Sequence, residues 1–217
     1  MSKQLLLNEL KKAAGSPSEL VLPIGKPVEA LLRPIATSQD KLSGTDARLL
    51  SEWRNRHVKS FLTEFDSQET RTMHWLATAV AADPGKILFM VDTLDGQSVG
   101  HVGLGFIDWQ RGYVEADAIV RGGVARKGLM TLALQTLLQW ARHSLGLHDI
   151  WVRVRSDNAA LAFYEKAGFR EHKRVPLVSS TDGKDIVWTE DNNTDAIKKA
   201  TASLVYMQYL PEDQALQ

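Results

Sequence analysis

Cysteine is absent from the 217 residues. That removes disulfides, a thiol nucleophile and any thiolate metal site, and it fits a reducing compartment. Charge imbalance is absent as well, because 26 basic residues meet 26 acidic ones. No broad field therefore draws the chain toward nucleic acid or an anionic membrane. Apolar runs stay far below the ~20 residues of a membrane span, and no long apolar segment of signal-peptide type stands near the N-terminus. His74 and His101 lack a nearby ligand set, so no metal is expected. Internal repeats and low-complexity tracts are missing too. The length is that of one domain with a substantial core. A cytoplasmic protein without a membrane or nucleic-acid partner is the plain expectation.

Residues 1 to 27 read as an N-terminal appendage to a domain spanning 28 to 217. Leu5, Leu6 and Leu10 suit a short helix, and Pro23 and Pro27 argue against regular structure between them. Val28–Ile35 reads as the first strand. Thr45 or Asp46 is positioned to cap a helix through Leu49, Leu50, Trp53 and Val58. A second helix is expected over Gln68–Ala82, stopped by Asp83-Pro84-Gly85. Ile87–Thr93 and Ser98–Ile107 form a hairpin pattern around Leu94-Asp95-Gly96-Gln97. Near the C-terminus, a strand at about Arg170–Val178 finds its partner in Ser203–Leu210. Ser179–Thr201, with its Asp182-Gly183, reads as an inserted polar excursion holding a short hairpin or helix.

The middle of the chain is the most informative. A strand at Tyr113–Val120 runs into a glycine-rich loop from Arg121 to Met130, then a helix at Thr131–Leu145 and a strand at Asp149–Arg155. A short helix carrying Asn158 and Tyr164 follows. This order places a run of backbone N–H groups, flanked by Arg126 and Lys127, at a helix N-terminus. Such a terminus attracts anions, because its first N–H groups lack helical partners and the helix dipole is positive there. A pyrophosphate beside a β-strand is the ligand this pattern suits. Glu115 and Asp117 alternate onto one face of the strand, and Ile119 is expected to share it. Two carboxylates so placed suit either a base acting on an ammonium or a pair of anchors for it. A strand-end salt bridge from Glu115 to Arg153 or Arg155 is the structural alternative.

Ala125-Arg126-Lys127-Gly128-Leu129-Met130, followed by Asn158 and Tyr164-Glu165-Lys166-Ala167-Gly168-Phe169, resembles the acetyl-coenzyme A-binding core of the GNAT N-acetyltransferase superfamily. The superfamily loop reads Arg/Gln-x-x-Gly-x-Gly/Ala, so Gly128 matches while Ala125 and Met130 depart. Its amino-sugar and protein N-terminal acetyltransferase branches are the most similar. The resemblance implies an α/β fold with a mixed central sheet of about seven strands, helices on both faces and a splayed pair of parallel strands. It implies acetyl-coenzyme A as cosubstrate, held by Ile119, Val120, Arg121, Arg126, Lys127, Gly128, Leu129, Met130 and Asn158. It assigns protonation of the leaving thiolate to Tyr164, because a neutral phenol donates near pH 7, and the general-base role to Glu115.

The same resemblance puts the first two helices along the acceptor cleft, with Trp53, Arg54, Asn55, His74 and Asp117 as acceptor contacts. Aromatic faces stack on bases or sugars, and an arginine meets a diphosphate. The favoured partner is accordingly a small-molecule amine, a nucleotide-linked amino sugar, acted on by a monomer or homodimer. Protein N-terminal amines of the ribosomal-protein type are the enzymatic alternative. A non-catalytic acyl-coenzyme A-binding module is the second alternative, suggested by the altered loop positions Ala125 and Met130.

Overall fold

A short hairpin opens the sheet of the first unit, its first strand lying ahead of the Val28–Ile35 strand expected from the sequence and its second being that strand. A computed structural model describes residues 2–13, 21–191 and 200–211. The chain divides into two compact units, Met1–Trp53 with Ser67–Ile150 and Arg54–Asp66 with Trp151–Gln217. In the first unit, α1 (Lys3–Ala13) precedes β1 (Leu22–Ile24) and β2 (Ala30–Pro34), which pair antiparallel. Pro23 thus lies inside a strand where irregular chain was expected. β1 ends the strand order, and an edge strand tolerates a residue with no N–H to give.

α2 (Gly44–Arg56) is capped by neither Thr45 nor Asp46. The Ser43 hydroxyl accepts from the Asp46 N–H at 3.1 Å, while the Asp46 carboxylate is held by Arg33 at 2.9 and 3.1 Å. Arg33 also donates to Asp92 at 2.6 Å, so one guanidinium ties β2 to α2 and to the neighbouring strand. A 3-10 turn at Val58–Ser60 ends this region, followed by the short β3 (Thr63–Glu64). The next helix begins as α3 (Glu69–Trp75) and widens into a π turn over Leu76–Val80. Its terminal carbonyls are closed by the buried Lys11 ammonium, which donates to Val80, Ala81 and Asp83 at 2.9, 3.3 and 2.7 Å.

β4 (Ile87–Thr93) and β5 (Ser98–Asp108) form the expected hairpin, with Gly96 at φ +83 in its turn. β6 (Tyr113–Arg121) pairs antiparallel with β5, giving the order β1-β2-β4-β5-β6. α4 (Leu129–Leu145) buries Leu129, Met130, Ala133, Leu134, Leu137, Leu138, Ala141 and Leu145, a helical stripe. Each larger member contributes roughly 1.5–3 kcal/mol on burial. The helix stops at Gly146, in left-handed conformation at φ +66, where Leu147 N–H bonds to Ala141 O at 3.0 Å.

In the second unit, β7 (Asp149–Arg155) is followed by α5 (Leu161–Ala167), β8 (Phe169–Asp182), β9 (Asp185–Glu190) and β10 (Ala202–Tyr209). The order is β7-β10-β8-β9-β3, antiparallel throughout. The expected pairing of the strand after Phe169 with the C-terminal strand is present, with Val205 opposite Arg174. The Ser179–Thr201 excursion begins as an extension of β8, turns at Gly183 and returns as β9. Its remainder at 192–199 lies outside the described residues. The described residues hold ten strands where about seven were expected, because β1 and β3 are short additions and β9 is the return strand of the excursion. The α/β class stands. Among them no helix is long and apolar enough to cross a membrane.

Candidate active site

In the first unit, β6, the loop after it and the start of α4 form a continuous cradle of backbone. Gly122 and Gly123 both donate their N–H to Val99 O at 2.9 Å, which folds the loop back onto β5. Those two donors are occupied, so the expected run of available N–H groups begins later. Gly122 also has no room for a side chain: a Cβ there would lie 1.9 Å from Trp53 Cε2. Gly128 stands at the helix start with φ +90. A Cβ at that position would meet nothing nearer than Arg126 Nη1 at 3.8 Å, so the backbone conformation alone requires glycine. The first bond of the helix runs from Leu132 N to Gly128 O at 3.1 Å. Met130 and Thr131 therefore point N–H groups out of the helix end with no helical carbonyl behind them.

Leu129 and Met130 are buried, so their side chains belong to the core and only their backbones face the loop. A Cβ on Gly100 would come 2.8 Å from Met130 Sδ, which explains the departure from the small-residue pattern. Methionine fills the space that Gly100 leaves. Arg121 and Lys127 are exposed. Arg126 grips Glu29 with Nε and Nη2, the latter at 2.5 Å from Oε1, and gives Nη1 to Lys127 O at 3.1 Å. These bonds hold the Glu29 carboxyl below its ordinary range.

Glu115 on β6 is 7% exposed and accepts a hydrogen bond from the Tyr113 hydroxyl at 2.6 Å. Asp117, two residues on, is paired with Lys86. Gly105 leaves room for that carboxylate, since a Cβ there would sit 2.8 Å from Asp117 Oδ2. The Lys86 ammonium also lies 5.9 Å from the Trp75 ring and 6.0 Å from that of Phe106. Ala118 then takes φ +49, and the register passes from Gly103–Asp117 to His101–Val120. Two residues of β6 oppose one of β5, a β-bulge that interrupts the alternation. Val120, opposite His101, thus continues the face of Glu115 and Asp117 in place of Ile119.

The sequence leaves Trp53 either to stack on an acceptor or to hold its helix on the sheet as a core residue, and the structure has the second. Trp53 is 3% exposed and lies parallel to His101, 6.0 Å between centroids, so its ring is part of the core. His74 is exposed on its helix, and its carbonyl accepts from the Thr78 hydroxyl at 2.7 Å. In the second unit, Arg54 donates to Thr63 O at 2.7 Å with its guanidinium 4.2 and 4.0 Å from the Phe61 and Phe65 rings. That setting occupies the group expected to meet a diphosphate. Asn55 is half-buried beside it in sequence.

Asn158, also in the second unit, accepts from Ala160 N at 2.9 Å and donates to Ser60 O at 3.3 Å. Its amide thus holds the turn ahead of α5. Tyr164 is 8% exposed, with its ring packed edgewise on Phe163 and Phe169 at 5.2 and 5.9 Å. A cluster around the buried Arg155 carries no signal in the sequence. Arg155, 5% exposed, binds Glu64 at 2.8 Å and Asp157 at 2.7 and 3.0 Å, and lies 4.1 Å over the Trp188 ring. Trp188 Nε1 also donates to Glu64 at 2.8 Å. Bonds from Arg155 hold the Asp157 carboxyl low, and those from Arg155 and Trp188 outweigh burial to do the same for Glu64.

The Acetyltransferase (GNAT) family model matches residues 50–169. Among solved structures, a probable GNAT-family acetyltransferase from Chromobacterium violaceum ATCC 12472 aligns with 91% of this chain and 94% of its own, at 20% identity and a TM-score of 0.63. Spermidine N-acetyltransferase from Vibrio cholerae, in complex with CoA and spermine, aligns with 78% of this chain and 92% of its own, at 20% identity and a TM-score of 0.60. A GNAT-family acetyltransferase from Bacillus anthracis aligns with 88% and 98%, at 16% identity and a TM-score of 0.62. Identities this low speak for a shared fold. Comparison with curated protein sequences gave no match.

Proposed function

The chain belongs to the acetyltransferase (GNAT) family, and we propose that it moves an acetyl group from acetyl-coenzyme A to the primary amine of a small acceptor. The observation that carries this reading is the left-handed Gly128 at the head of α4, inside the family-matched segment. The outward N–H groups of Met130 and Thr131, with Arg121, Arg126 and Lys127 nearby in the chain, suit the phosphates of a coenzyme. The bulge at Ala118 supports a second role, in which Ile119 N–H meets the pantetheine arm and the thioester carbonyl. Acetyl-coenzyme A supplies the activated acyl group. Val120, Leu129 and Met130 then serve through backbone atoms, because their side chains are buried.

In this reading Glu115 takes the proton from the acceptor's ammonium, directly or through water. The neutral amine forms the new C–N bond, the C–S bond breaks, Tyr164 gives its proton to the thiolate, and the proton shed by the new amide nitrogen passes through water to restore the phenol. Asn158 acts by fixing the turn ahead of α5. Placing the two reactants supplies much of the rate, roughly 7–11 kcal/mol in the best-oriented cases.

For the acceptor, the amino-sugar reading keeps His74-Trp75 but loses the supports expected from Trp53 and Arg54. What remains is recognition by charge through Glu115, with Asp117 joining it where an acceptor ammonium displaces Lys86. A polyamine is therefore a second reading, favoured by the two carboxylates on one strand face. The test is coenzyme A release with panels of nucleotide amino sugars, polyamines and N-terminal peptides. Tyr164→Phe and Glu115→Gln should each lower kcat by about 10²–10⁴-fold. Coenzyme binding with turnover unaffected by both changes would remove these roles, and binding without turnover on any panel would favour the non-catalytic module.

A further inference from the structure

We propose that Glu29 sets the affinity for coenzyme by competing with its phosphates for Arg126. The inference takes the coenzyme site proposed above as its premise. Arg126 lies in the loop two residues before Gly128, and its guanidinium is bonded to a carboxylate 97 residues distant in sequence. The fork that Arg126 offers is Nε with Nη2, and both are bonded to Glu29 oxygens, while Nη1 serves Lys127 O. Phosphate uses the same bidentate fork. Two anions thus contend for one binding edge, and Arg126 reaches a phosphate with that edge only by leaving Glu29.

Glu29 cannot follow the loop if the loop moves. Its N–H donates to Ile24 O at 2.8 Å, closing the turn that joins β1 to β2. The next residue, Ala30, is buried and paired with Ile24. The carboxylate is therefore anchored to the sheet while Arg126 belongs to the coenzyme loop. Removing its charge lifts the competition and also the repulsion a bound phosphate would feel. Both effects have the same sign.

The test is calorimetric binding of coenzyme A and of pantetheine, which lacks the phosphates, to the intact chain. Glu29→Gln should tighten coenzyme A by about two- to five-fold, the span of an exposed ion pair, and leave pantetheine unchanged. In an Arg126→Gln background most of that gain should vanish. Melting temperatures of the variants should stay near that of the parent, separating competition from damage to the fold. Weaker or unchanged coenzyme A binding in Glu29→Gln, with the parent binding normally, overturns the competition and leaves the coenzyme site standing. Failure of the parent to bind coenzyme A removes the site and the competition together.

Discussion

Replacing Gly122 with alanine drives a methyl group into the indole of Trp53. The added Cβ would lie 1.9, 2.1 and 2.5 Å from Cε2, Cδ2 and Cζ2, all on the buried ring. Carbon atoms settle at about 3.5–4.0 Å, so ring or loop must move by roughly 1.5–2 Å. Neither movement is free. Trp53 is stacked on His101 within the core, and Gly122 and Gly123 are both bonded to Val99 O. Overpacking of this kind costs about 1–3 kcal/mol and sometimes more, and the absence of a flexible side chain to yield favours ~3 kcal/mol. For a chain of this size, ~1 kcal/mol moves Tm by about 2–4 °C, so Gly122→Ala should lower Tm by about 6–12 °C. Thermal unfolding of Gly122→Ala, Trp53→Leu and the double variant forms the assay. Once the indole is gone the methyl should cost under ~1 kcal/mol, leaving a coupling of about 2 kcal/mol. A Tm within 2 °C of the parent for Gly122→Ala, or a coupling near zero, would refute the reasoning.

Other consequences follow from the buried Lys11 and Arg155. Lys11→Met leaves the carbonyls of Val80, Ala81 and Asp83 without the ammonium that closes the helix end. It should cost about 2–3 kcal/mol in urea unfolding, and an unchanged midpoint would reject the capping role. The carboxyls of Asp157 and Glu64 are held below their ordinary values of 3.8 and 4.5 by bonds that outweigh burial. A depressed folded pKa gives stability that is present above the unfolded value and lost as pH falls through the folded one. The Tm gap between the parent and Arg155→Gln should therefore be full at pH 6–7 and shrink below about pH 4. A gap independent of pH would deny the electrostatic origin.

Backbone features were the readable part of this chain. Asp95-Gly96 announced its hairpin and Asp182-Gly183 marked the turn between β8 and β9, while Gly128 marked the loop before α4 without its left-handed conformation. Local conformational preference suffices for each. The strand pairing of residues after Phe169 with the C-terminal strand followed from their apolar pattern. Partners set by tertiary approach were not readable. Nothing near Arg126 points to Glu29, and nothing near Asp117 points to Lys86. The bulge at Ala118 has no sequence signal, because alanine does not favour a positive φ. Its effect was to misplace Ile119 on the carboxylate face. Trp53 shows a different limit: an aromatic beside arginine and asparagine suits an acceptor cleft, but the absence of a Cβ at Gly122 made room for it in the core.

The central claim is transfer of an acetyl group to an amine, and mass analysis of acceptors incubated with chain and acetyl-coenzyme A tests it most directly. The account predicts a product heavier by one acetyl group on nitrogen, formed in step with coenzyme A release and lost in Tyr164→Phe. Coenzyme A appearing with acetate alone would contradict it, while an acetylated product formed undiminished by Tyr164→Phe and Glu115→Gln would keep the transfer and remove the roles given to these two residues.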